Sequence, residues 1–295
     1  MNYNQEIVID KPKEQPTRVM SFTSGKGGVG KSTSVLNIAI ALAQQGKRTL
    51  LLDADLGLAN IHVLLGKKLD KNLEHFFAGQ CELEELFIEG PYGLIIIPAA
   101  SGTEHMIQLS SEKKLQLLLA LEETPFHFDY LFIDTQAGIG ADVMYFNTAA
   151  DEIVCVITPD PTSLTDAYAL IKILSRRYSE KEISILVNQV AHFREAQQSY
   201  QRLADACERH LQIRLKYLGS VPSDTAVVKA VRSQSPLMQS FPSSQAAKSL
   251  REIADGFADS FYQKRIKGGL QFYFRKLLEV SNDISVENSD GGTNG

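Results

Sequence analysis

The ten residues Ser24-Gly-Lys-Gly-Gly-Val-Gly-Lys-Ser-Thr33 constrain this chain more than any other stretch. From Gly25 to Ser32 they fit G-x-x-x-x-G-K-[ST], a phosphate-cradling turn that functions only between a strand and a helix. Both flanks are present. Arg18 to Thr23 reads as a short buried strand, and Ser32 to Gln45 carries Val35, Leu36, Ile38, Ala39, Leu42 and Ala43 at helical spacing before Gly46 ends it. The backbone N–H groups of Gly25, Lys26, Gly27, Gly28, Val29 and Gly30 and of the helix start then converge on one point, a site for polyphosphate. Lys31 is the lysine the pattern demands. Lys26 is a second one that it does not require.

The rest of the chain alternates in the same way. Arg48 to Asp53, Gly93 to Pro98, Phe128 to Asp134, Glu152 to Ile157, Ile183 to Asn188 and Leu215 to Val221 are apolar runs of strand length, the pattern of parallel strands covered on both faces. With the first strand they make seven. Helices are expected over Leu69–Phe77, Glu112–Leu121, Ser163–Tyr178, Arg194–His210, Asp224–Val231 and, after a break at Pro236, Ser243–Tyr262, with a connector over Gly57–Gly66 and a turn over Glu82–Ile88. Such alternation predicts a single-domain α/β fold of the P-loop NTPase class. Its sheet is mostly parallel, helices lie on both faces, and ligands bind at the strand C-termini. The expected segments are a leader (1–17), the P-loop domain (18–262), an amphipathic helix (263–280) and a polar, disordered tail (281–295).

Phosphoryl transfer needs charge neutralisation on the phosphates, a Mg²⁺ ion and a group that orients the attacking water. Lys31 supplies the first. Ser32 is the hydroxyl ligand for Mg²⁺, and Asp134, closing an apolar strand, is the Walker B acid of the metal site. Asp53 and Asp55 end the neighbouring strand. Each could be an N-cap or a turn residue, and a carboxylate at that place also suits a water-orienting role.

Composition narrows the partners. A net charge of −5 provides no global field for nucleic acid, so no specific nucleic-acid binding is expected. Cys81, Cys155 and Cys207 lie far apart and frame neither a zinc site nor a disulfide set, as befits buried thiols in a reducing cytosol. Met1 to Pro16 has no apolar core of a signal peptide, and no run of eighteen apolar residues marks a membrane span. Residues 264–280 are different. Leu270, Tyr273, Phe274, Leu277 and Val280 project on one side of a helix, and Lys264, Arg265, Lys267, Arg275 and Lys276 bring positive charge with no acid before Glu279. That pattern fits a helix lying in an anionic membrane interface, and it also fits a last helix packed on its own domain.

Gly25-Lys-Gly-Gly-Val-Gly-Lys-Ser32, with its additional lysine, resembles the deviant Walker A motif of the MinD/ParA class of P-loop ATPases. Leu50-Leu-Leu-Asp-Ala-Asp-Leu-Gly-Leu-Ala-Asn-Ile-His-Val-Leu-Leu-Gly66 and Thr158-Pro-Asp-Pro-Thr-Ser-Leu-Thr-Asp-Ala-Tyr-Ala-Leu-Ile-Lys172 are similar to segments of its flagellar-number branch, FlhG/FleN. The likeness spans roughly residues 18–280.

The resemblance implies ATP and ADP as ligands with Mg²⁺, and an ATP-dependent homodimer in which Lys26 reaches the partner's phosphates. It implies that Asp55 orients the water, that Asp53 supports Mg²⁺ and the switch, and that Thr33 helps bind phosphate. Asn188 and Asp224 would flank adenine, although a loop Asn and an N-cap Asp are equally ordinary readings. The tail, through Leu270, Tyr273, Phe274, Arg275, Lys276 and Leu277, would bind the inner face of the cell membrane. A flagellar GTPase of the signal-recognition type (FlhF) and a FleQ-type transcription regulator are the partners implied. Division-site placement and, further off, ParA-type DNA partition are the rival roles within the class, and a degenerate nucleotide-binding scaffold is the rival outside catalysis. Three positions depart from the pattern. Gln136 stands where this branch has Gly, His62 replaces an acid, and the leader lacks an Asp-Gln-Ala motif that some members use on a partner GTPase.

Overall fold

A computed structural model describes residues 16–55, 60–99, 110–124 and 126–259. The expected amphipathic helix and tail beyond 259, and nearly all of the leader, lie outside the described residues.

Eight strands form one sheet in the order β3-β4-β2-β5-β1-β6-β7-β8. They are β1 (Arg18–Thr23), β2 (Thr49–Ala54), β3 (Ile88–Glu89), β4 (Ile95–Ile97), β5 (Tyr130–Thr135), β6 (Glu152–Ile157), β7 (Glu182–Val190) and β8 (Arg214–Pro222). All pairings are parallel except β3 with β4. The seven expected strands are therefore joined by an eighth, which falls where the sequence indicates a turn. Two residues carry no periodicity, and β3 exists only because the chain doubles back along β4 through Pro91–Gly93.

The period-2 alternation of each strand divides the core. Met20, Phe22, Leu51, Tyr130, Phe132, Val154 and Val156 face one side. Val19, Leu50, Leu52, Leu131 and Ile133 face the other, beside a continuation built by Ile153, Cys155, Ile157 and Ile185. The first face is covered by α1 (Lys31–Gln44), α8 (Thr225–Arg232), α9 (Leu237–Ser240) and α10 (Gln245–Asp259), with α2 (Ile61–Leu64) at its margin. The second is covered by α3 (Leu73–Phe77), α4 (Ser111–Glu123), α5 (Ala141–Ala149), α6 (Pro161–Tyr178) and α7 (Phe193–Leu211).

The one-turn helices α2 and α9 fall in stretches read as a connector and a break, and two longer helices also differ from expectation. Helix α1 is buried all round from Ser34 to Ala43, because α10 packs on the side that faces away from the sheet. Helix α5 has no counterpart in the sequence reading. Val143 to Ala149 is buried on every side, so the polar stripe that betrays a surface helix is absent.

At the strand N-termini, Arg18 ties α10 to the sheet. Its Nε lies 2.5 Å from Glu152 Oε1, and its Nη1 donates to the Phe257 carbonyl at 2.8 Å. The Tyr130 hydroxyl donates to the same carbonyl at 3.3 Å. Gln45 Nε2, just past α1, donates to Asp255 Oδ1 at 2.7 Å. At the opposite pole, the C-terminal ends of β1, β2, β5, β6, β7 and β8 gather every sequence-predicted site residue of the described chain. Between β1 and β2 lies β5, so the loop after β1 opens at a point where the strand order reverses, the usual place for a ligand in such sheets.

Candidate phosphate site

Close packing dictates glycine at the start of the loop. A Cβ on Gly25 would lie 2.3 Å from the Asp166 carbonyl carbon and 2.6 Å from the Ala167 amide nitrogen, both backbone atoms of α6. Gly30 has φ 82°, a left-handed value, and a Cβ there would lie 2.3 Å from Asn188 Nδ2. Gly30 is also the N-cap of α1, and no side chain caps that helix. The first-turn N–H groups are therefore left for an anion. Gly27 and Gly28 have open space where a side chain would stand. Ser32 and Thr33 occupy the first turn, half-buried.

Lys31 Nζ lies 2.5 Å from Asp134 Oδ1, with both side chains buried. In the sheet Asp134 stands directly opposite Asp53 on β2. Two buried carboxylates thus share one ammonium. Burial, and then the charge of Asp134, push the Asp53 carboxyl up to about 7. Backbone bonds from Ile61 and Asp55 and the charge of Lys31 oppose that shift. Asp53 spends its oxygens on the switch-side chain. Oδ1 accepts from the Asp55 amide at 3.2 Å, and Oδ2 accepts from the Asn60 and Ile61 amides at 3.1 and 3.2 Å. That brace fixes half-buried Asp55 at the end of β2. Across the sheet, the Gly138 amide donates to the Ser24 carbonyl at 2.8 Å and joins the loop after β5 to the phosphate loop. Gln136 is exposed on that loop. His62 lies on α2, where burial lowers its basicity.

The donor set fits Mg²⁺ and polyphosphate. Uncapped amides and Lys31 suit phosphate oxygens, and the excess negative charge of Asp53 and Asp134 suits a divalent cation. Among the described residues no three His, Cys, Asp or Glu side chains converge as an all-protein metal cage. Such a cage is not needed where phosphates and water complete a Mg²⁺ shell.

Lys26 is held by its own chain. Its Nζ bonds Asp160 Oδ2 and, at 2.7 Å, Thr162 Oγ1. Asp160 is the N-cap of α6, its Oδ1 accepting from the Thr162 amide at 3.0 Å. The bond from Lys26, above all, holds the Asp160 carboxyl below the usual carboxylate range. These residues border a cleft of about 520 Å³ also lined by Gly28, Gln189, Glu195 and Ser223. Asp160 was missed as a site residue. The Asp-Pro pair signals a helix start, but nothing in sequence joins it to a lysine 134 positions earlier.

Asn188 and Asp224 both stand at this pole. Asn188 is buried, its Nδ2 donating to the Val29 carbonyl at 2.8 Å and its Oδ1 accepting from the Gln189 amide at 2.9 Å. Asp224 caps α8 through the Ala226 amide at 2.8 Å, and its second oxygen accepts from the Ala246 amide of α10 at 3.2 Å.

A mostly parallel sheet with a glycine-rich loop, a buried lysine and two strand-end carboxylates at its carboxyl pole defines a P-loop NTPase. Residues 15–258 match the family described as ParA, NUBPL iron-transfer P-loop NTPase. The chain is 39% identical over 264 residues to antiactivator FleN of Pseudomonas aeruginosa, covering 90% of this chain and 94% of that one. It is 35% identical over 267 residues to the flagellum site-determining protein YlxH of Helicobacter pylori, covering 89% and 90%. Among solved structures, the MinC:MinD cell division complex of Aquifex aeolicus superposes with a TM-score of 0.67 at 26% identity, covering 84% of this chain and 99% of that one. The chain belongs to the ParA/MinD family of P-loop ATPases.

Proposed function

We propose that this protein is a Mg²⁺-dependent ATPase switch that regulates the number or placement of flagella. The observation that carries the reading is the pairing of a complete phosphate site with a second loop lysine, Lys26, in a chain whose relatives include FleN and YlxH. Ser32, Asp53 and Asp134 would hold Mg²⁺ beside phosphates bound by Lys31 and Thr33, and the ion would supply charge neutralisation there. Asp55 orients the attacking water, Asn188 and Asp224 border the base, and Lys26 leaves Asp160 to reach the phosphates of a second copy. The dimer formed in this way is the active state, and hydrolysis limits its lifetime.

Residues 263–280 give the dimer its place of action on an anionic membrane surface. One short amphipathic helix binds weakly and two in one dimer bind by avidity. Among the described residues no helix is long and apolar enough to cross a membrane. An FlhF-type GTPase or a FleQ-type regulator is the partner the flagellar role calls for. Counting flagella in a deletion strain complemented with the parent or with Lys31→Ala tests the role. Altered flagellar number restored by the parent alone supports it. Minicells with normal flagella would move the protein to division-site placement, the role named in the MinD relative of Bacillus subtilis, 30% identical over 237 residues.

A further inference from the structure

Beside the phosphate loop, β7 ends irregularly. Val187 pairs with Ser220 and Val190 with Pro222, so β7 carries one residue more than β8 over this interval. The surplus is accommodated at Gln189, a non-glycine residue with φ 58°. A left-handed conformation costs a side-chain-bearing residue free energy, and it persists where the surroundings impose it, often at functional sites. Here it brings two consecutive carboxamides to one side of the loop. Asn188 Nδ2 donates to the Val29 carbonyl at 2.8 Å, and Gln189 Nε2 donates to the Gly28 carbonyl at 3.3 Å. The Asn188 side chain also accepts from the Gln189 amide and so locks the bulge that presents its neighbour.

Peptide geometry gives these contacts a consequence. In a trans peptide the C=O of one residue and the N–H of the next point in opposite directions. Holding the Gly28 and Val29 carbonyls toward β7 therefore turns the Val29 and Gly30 amides the other way, toward the pocket bounded by Lys31 and the start of α1. Glycine at 28 and 30 leaves these peptide planes free to rotate, with φ 81° and 82°. Something outside the loop has to fix them. We infer that Asn188 and Gln189 are positioning residues for the ATPase reaction, clamping two loop carbonyls so that the opposite amides are pre-aimed at phosphate.

Gln189 is the member to test, because it is exposed and its backbone prefers glycine. Gln189→Gly removes the carboxamide and relieves the left-handed strain, so its melting temperature stays level or rises. The amides contact phosphate in both the bound substrate and the transition state. Losing their aim should therefore raise KM for ATP about tenfold and leave kcat within about twofold, as for loss of uniform binding. Gln189→Glu keeps the size but presents an acceptor to a carbonyl, and is expected to be at least as impaired. Inorganic tripolyphosphate, read as a competitor of labelled ATP, should lose affinity in the same ratio. An unchanged KM in Gln189→Gly, or a fall in kcat alone, overturns the inference. A loss confined to the adenine nucleotide, with tripolyphosphate unaffected, overturns it too and assigns Gln189 to the base.

Discussion

Lys31 and Asp134, separated by 103 residues, form a buried ion pair at the floor of the phosphate site, Nζ to Oδ1 at 2.5 Å. The loop's own cation is thus neutralised by the acid proposed above as a Mg²⁺ ligand. In the proposed nucleotide complex Lys31 would turn to phosphate oxygens and Asp134 would help hold Mg²⁺, whose charge would replace that of the ammonium beside the carboxylate.

Breaking that pair from one side should therefore be costly. Lys31→Ala leaves Asp53 and Asp134 buried without their shared ammonium, and a loss of about 3 kcal/mol in unfolding free energy is expected, together with loss of ATP binding. Urea unfolding and calorimetric titration measure the two effects. A variant as stable as the parent would mean that the carboxylates are neutralised by something other than Lys31.

Asp53 makes the metal-free protein pH-sensitive. Its folded value of about 7 lies above the ordinary 3.8, so the native state holds a proton that the unfolded chain has released. Its contribution to stability is full below 3.8 and is lost as pH rises through about 7. Without nucleotide, the melting temperature should decline across that interval, and Asp53→Asn should flatten the decline. Mg²⁺ favours the ionised form, and its binding with nucleotide should release protons at pH 6, detectable by calorimetry in buffers of different ionisation enthalpy.

Removing the carboxylate at the end of β2 should separate binding from chemistry. Asp55→Ala is expected to bind ATP and form dimers while turnover falls by about a hundredfold or more. Size-exclusion chromatography with ATP, beside a phosphate-release assay, reads both. A variant that binds ATP tightly and stays monomeric would break the link between nucleotide and assembly.

Deleting residues 265–280 should abolish ATP-dependent sedimentation with vesicles containing anionic lipid and leave dimerisation intact. Loss of dimerisation in that variant would instead make the segment part of the folded domain.

Much of this was legible because parallel strands buried on both faces read as unbroken apolar runs, as in Thr49–Leu52 and Leu131–Ile133. The loop was legible because local spacing specifies it. What escaped has physical causes. Ile88–Glu89 is a strand only through its partner, and Ala141–Ala149 lacks a polar face from which to read a period. Lys26 meets Asp160 through tertiary contact alone. Gln189 adopts a glycine-like backbone that its side chain does nothing to advertise. Asn188 could be placed at a strand end from sequence, but its commitment to the Val29 carbonyl depends on a bulge that only pairing with β8 reveals.

Helices α1 and α10 lie side by side and run the same way, from the phosphate pole to the pole where Arg18 and Tyr130 hold the Phe257 carbonyl. At 1.5 Å per residue, α1 spans about 21 Å. Its first residue is Lys31, and just past its end Gln45 is bonded to Asp255. Asp259, the last described residue, therefore lies at the pole opposite the phosphate loop, on a helix packed along the one that begins with Lys31. Helix α1, sheathed in packed side chains along its length, is thus a single rigid element with its start in the phosphate loop and its end against α10.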